Sequence, residues 1–160
     1  MRLATLALFA ALAASASAQA PSDPADHALS RAGVSVTLPD GFVLEQALVD
    51  RLPAFGAFLF VNEAVGTVSV EVHTYFGPDQ RAAFARGETA EQDLAHLPRL
   101  GPADATAYGV EGGSAFRFGD ETYRGVVVYG CDVDRCYKVS ATGADESVLP
   151  PLVNAVAFES

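Results

Sequence analysis

The only two cysteines of the chain sit in the stretch CDVDRC, as Cys131 and Cys136, with four residues between them. Three chemistries could use such a pair. A catalytic dithiol has a shorter spacing and opens a helix whose N-terminus stabilises the thiolate. Here Asp132 and Asp134 surround the sulfurs with negative charge, opposed by Arg135 alone, and that disfavours a thiolate. A tetrahedral zinc centre needs further ligands, and His27, His73 and His96 are scattered without ligand spacing. A disulfide is the simplest use of an even cysteine count in an exported chain. Setting Cys131 opposite Cys136 in a hairpin also sets Tyr129 opposite Lys138 and Val127 opposite Ser140, while Val128 meets Val139 on the other face. One face is then apolar and the other mixed, so register and patterning agree, with the cysteines on the outward, mixed face.

The remaining candidates for chemistry are weaker. Asp132 and Asp134, with Asp120 and Glu121 at the far end of the strand, are carboxylates of the kind that ligate calcium. A calcium loop needs more oxygens and a closing glutamate, so the turn reads as a solvated acidic tip. Ser114 follows Gly112 and Gly113 but leads into a strand, whereas a nucleophile elbow places its serine between a strand and a helix. His73, beside Glu71 on a strand and expected to face solvent, and His96 are the available bases, and nothing in the pattern brings either to Ser114. No catalytic residue, cofactor or metal is therefore assigned, and the expectation is a non-enzymatic protein. The alternatives are a small hydrolytic or metal-dependent enzyme built from scattered residues, or a calcium-binding protein using Asp132 and Asp134.

Strands must position most of these residues. Val34, Val36 and Leu38 alternate with Ser35 and Thr37 and run into the turn Pro39-Asp40-Gly41. Residues 56–62 are apolar on both faces, as in a central covered strand, and residues 67–75 alternate, with Val68, Val70 and Val72 facing one way and Ser69, Glu71 and His73 the other. The period then lengthens. Residues 79–86 predict a helix stopped by Gly87, and Thr89 with Gln92 predicts a capping box opening a second helix that ends at Pro98. Strands follow near 106–110, 114–118, 122–130 and 136–142, and Pro150 and Pro151 open a closing helix. This order reads as one α+β domain over 34–160, a largely antiparallel sheet packed between helices.

Ahead of it, Arg2 precedes an uncharged run from Leu3 to Ala14, and Ala-x-Ala sites end at Ala18 and Ala20. Residues 1–20 read as a signal peptide, residues 21–33 as a polar leader, and the mature protein as periplasmic or secreted. No later run is long enough to span a bilayer as a helix. The chain carries 10 Lys and Arg against 20 Asp and Glu, a net charge of −10. That field repels phosphate backbones and no basic cluster counters it, so nucleic acid is a poor partner and another envelope protein or a small ligand a better one.

The segment Leu38 to Phe42 (LPDGF), the valine-rich hairpin, the helices, the four-strand run and the terminal helix ending in Phe158 together resemble the PsbP-like proteins. These include an extrinsic subunit of the photosynthetic oxygen-evolving complex and small bacterial envelope proteins. The resemblance spans about residues 34–158. It implies an α-β-α sandwich and binding or assembly work, usually without enzymatic activity, and it transfers no site residue.

Overall fold

The computed structural model describes residues 24–49 and 55–158. The expected signal peptide lies outside the described residues.

Two antiparallel meanders join edge to edge. The first comprises β2 (Val43–Val49), β3 (Phe55–Asn62) and β4 (Gly66–His73). The second comprises β5 (Arg99–Ala103), β6 (Ser114–Gly119), β7 (Arg124–Cys131) and β8 (Cys136–Gly143). Pairing of β4 with β8 makes one seven-stranded sheet in the order β2-β3-β4-β8-β7-β6-β5. Short strands β1 (Val34–Val36) and β9 (Val156–Phe158) form a separate two-stranded sheet that ties the two ends of the domain together.

The valine alternation decides which sheet face is core. Val68, Val70, Val72, Val126, Val128, Val139 and Ala141 all point to one side and are buried. They pack against α1 (Pro24–Arg31), the 3-10 turn Ala105–Tyr108 and α4 (Leu149–Asn154), which contribute Leu29, Tyr108, Leu149, Leu152 and Val153. On the opposite face, α2 (Pro78–Ala85) and α3 (Ala90–Asp93) bring Phe84, Ala90 and Leu94 down on Val127, Tyr129 and Phe118.

The expected helix-flanked α+β sandwich is not what forms. The architecture is mostly antiparallel β-sheet, and no helix among the described residues exceeds eight residues. The physical reason lies in the stops. Gly87 takes a left-handed φ of 66° directly after α2, where a Cβ would come within 2.4 Å of the Phe116 ring. Thr89 itself adopts a helical conformation and caps nothing with its side chain, so α3 is a single turn that ends before Leu97. Half of a capping box forms instead at Gly77, whose amide donates to Gln80 Oε1 at 3.0 Å while the glycine has no side chain to return the bond.

Other elements shift for local reasons. Residues 24–31 of the expected leader are helical. The strand expected near 106–110 is a 3-10 turn, because Asp104 accepts the Thr106 amide at 3.0 Å and Gly109 closes the turn at φ 73°. The strand at this point is β5, just before it. Strand β3 is one in from the sheet edge, so its second apolar face is only half-buried.

Candidate functional site

The hairpin register is as the cysteines require: Cys131 pairs with Cys136, Tyr129 with Lys138 and Val128 with Val139, and the sulfurs are bonded. A disulfide is consistent with an oxidising, exported environment. The expected outward position of the pair needs correction. Cys136 is fully buried, because α2 and the Phe84 ring lie over that end of the mixed face. Arg81 of α2 donates to the Asp132 carbonyl at the tip, which fastens helix to hairpin.

Strand pairing extends the mixed face into rungs. One runs Leu48, Ala57, Glu71, Lys138, Tyr129, Ser114 across six strands. The next, towards the hairpin tip, runs Phe55, His73, Cys136, Cys131. The first rung changes from apolar at the β2 edge to charged in the middle and to a covered tyrosine at the far side. In its middle Lys138 Nζ lies 2.7 Å from Glu71 Oε1 and 3.6 Å from Asp93 Oδ2, which descends from α3. The buried Tyr129 hydroxyl donates to the same Asp93 oxygen at 2.6 Å. Burial pushes the Glu71 carboxyl up, but the nearby His73 imidazole, the hydrogen bond from Lys138 and the Lys138 charge outweigh it and hold Glu71 below the ordinary carboxylate range. Burial, reinforced by Asp93, pushes the Tyr129 phenol far above its ordinary value.

His73 is not the solvent-facing residue the alternation predicts; it is only 9% exposed. Its ring stacks on Phe76 with centroids 4.9 Å apart, and Phe55, Phe84 and Tyr75 surround it at 5.1 to 5.9 Å. Nε2 approaches Glu71 at 3.7 Å, and the buried Nδ1 has no hydrogen-bond partner among the described residues. Ser114 is three strand spacings away on β6, roughly 14 Å at the usual separation, so His73 and Ser114 do not converge. His96 is exposed beyond α3.

The acidic tip is occupied by its own turn. Asp132 Oδ1 accepts the amides of Asp134 and Arg135 at 2.9 and 2.8 Å, and its other oxygen is 3.3 Å from Arg135 Nε. Asp120, at the other end of β7, accepts both the amide and the hydroxyl of Thr122. Among the described residues no three His, Cys, Asp or Glu side chains gather as metal ligands would.

Beyond the Glu71–Lys138 pair no helix or loop among the described residues covers the mixed face. Gln46, Leu48, Ala57, Leu59, Ser69 and Glu71 line a shallow hollow of about 380 Å³ over β2, β3 and β4. Leu48 is 61% exposed and Val43, on the same face, 59%. What sequence reasoning missed is the network of Asp93, Tyr129 and Lys138. One signal was present: Lys138 is the only lysine of the chain, and the hairpin register already set it beside Tyr129.

The chain matches no protein-family model and no curated protein.

Proposed function

We propose that this chain is an exported, non-enzymatic binding or assembly protein of the bacterial cell envelope, and that it works through the uncovered half of its seven-stranded sheet. The observation that carries this reading is the asymmetry of the mixed face. Its β7 side is sealed by α2 and α3, whereas its β2–β4 side leaves Leu48 exposed and Leu59 and Ser69 half-buried beside a charged pair. Exposed apolar residues rimmed by polar ones mark contact surfaces rather than solvent surfaces. The Cys131–Cys136 disulfide and the reading of residues 1–20 as a signal peptide support the envelope setting.

The occupant that fits is a basic surface of another protein. Among the described residues of 34–77, Asp40, Glu45, Glu63 and Glu71 are accompanied by no Arg or Lys of the segment, so the field over this half of the sheet is negative. A hydrolytic reading is less well supported, since the His73 ring is enclosed by aromatic rings and Glu71 is already paired with Lys138.

Site-specific photo-crosslinking in cells tests this reading. A photoreactive residue at Leu59 or Ser69 should give a discrete protein adduct that Leu48→Asp abolishes, while one at the exposed Ala107 near the opposite face should not. Equal adducts at Ala107, or none at either open-face position, would overturn it.

A further inference from the structure

The two edges of the sheet are not protected alike. At one edge, β5 reads RLGPA: Pro102 has no N–H to offer, and the strand is broken by a register shift between Arg99 and Gly101. Both proline and bulges stop an edge from recruiting another strand, and because each edge carries a register shift it is the proline that sets β5 apart. At the other edge, β2 reads VLEQALV, seven residues without proline, glycine or lysine. Its one interruption is the shift at Glu45, and its outer row of N–H and C=O groups has no strand partner among the described residues. The same strand exposes Val43 and Leu48.

We infer that β2 is a strand-addition site, taking an extended, basic segment of a partner protein antiparallel or parallel to Val43–Val49 as an eighth strand. The inference rests on the binding reading above and names the mode and chemistry of the partner. Main-chain hydrogen bonds to an open edge supply affinity, and alternate side chains supply selectivity. On the uncovered face the added strand would set apolar side chains beside Val43 and Leu48. Lys or Arg in it would meet Glu45, which is exposed at the shift. Charge decides against a second copy as occupant, because each chain carries a net charge of −10 and would bring its own Glu45 to the contact.

The test uses the purified protein and three synthetic heptapeptides: one alternating Lys or Arg with Val, its Glu-for-Lys/Arg counterpart, and the basic peptide N-methylated at alternate residues. The basic peptide should bind and slow amide exchange within residues 43–49. The acidic and the N-methylated peptides should each bind at least tenfold more weakly, as should the basic peptide to Glu45→Lys/Leu48→Lys. Both substitutions fall on exposed side chains, and an unchanged thermal melt confirms that the variant folds. Absence of binding by the basic peptide, or equal binding of the N-methylated one, overturns strand addition. Slowed exchange confined to β3 and β4 would leave the open-face reading standing and remove the edge from it. A dimer in sedimentation that Leu48→Lys dissociates would make a second copy the occupant and overturn the proposed partner.

Discussion

Lys138→Met gives the sharpest test of how the mixed face is held. The substitution keeps the apolar stem along the sheet and deletes the ammonium that sits 2.7 Å from Glu71 and 3.6 Å from Asp93. Near a protein surface, opposite charges at about 4 Å attract by roughly 4 kcal/mol before desolvation is counted. The side chains are 16% exposed for Lys138 and 30% for each carboxylate, so water already screens part of this. Exposed pairs contribute about 0–1 kcal/mol and breaking a fully buried one costs about 3–5 kcal/mol. A cost of about 2 kcal/mol at neutral pH lies between those limits. It should appear in urea unfolding, with a coupling of about 1–2 kcal/mol when Lys138→Met is combined with Glu71→Gln.

The same variant carries a pH signature. Glu71 is held below the ordinary carboxylate range, so its contribution is present above that range and is lost as pH falls through the lower folded value. Deleting Lys138 removes part of that depression. The stability gap between native protein and Lys138→Met should therefore be widest near about pH 7 and shrink towards about pH 3. A gap below about 0.5 kcal/mol at neutral pH, or one of the same size in acid, would refute the assignment of Lys138 as the centre of a coupled network.

Three further outcomes follow from named contacts. Reducing the Cys131–Cys136 bond should add 2 Da and cost about 2 kcal/mol by chain entropy, since the loop it closes is short; a melt unchanged by reductant would show that the hairpin register holds without it. Gly130→Ala would place a Cβ 2.6 Å from the Tyr137 ring, which stacks on Phe158 at 4.0 Å, and should cost about 1–3 kcal/mol in thermal or urea melts. In alkali, the raised Tyr129 phenol contributes stability that is present at neutral pH and lost as pH rises from the ordinary tyrosine range towards its folded value; Tyr129→Phe should flatten that loss in alkaline melts.

What could be read from the chain follows the range of the interaction concerned. The β7–β8 register was legible because a tight turn and a cysteine pair fix it within a dozen residues. The valines of β4 were legible because strict alternation needs no partner to be seen, and their near-zero exposure follows. The sandwich expectation failed for a different reason. Residues 79–97 have helical composition, but Gly87 and the uncapped Thr89 cut them into two turns and one, too little to form a layer. The strand β2 escaped because VLEQALV has the composition of either a helix or a strand, and only its place beside β3 decides.

The site was hidden by topology rather than by weak patterning. Each rung of the mixed face depends on β4 lying beside β8, a contact that joins Glu71 to Lys138 across the intervening helices and three strands. Alternation places Glu71 and His73 on the polar face of an isolated hairpin, where solvent exposure is the natural expectation. Pairing with β8 converts that face into an interior on one side only. His73 falls where Phe76 and Phe84 close over it and becomes buried, whereas Ser69, one rung beyond Glu71, stays at the open hollow. The boundary between sealed and open therefore runs through Glu71, and the side chain that holds it there is the only lysine of the chain. If that boundary defines the contact surface, Lys138→Met should weaken the Leu59 photo-adduct as well as the fold. A variant that loses stability yet keeps the full adduct would separate the network from recognition and leave the edge strand as its sole determinant.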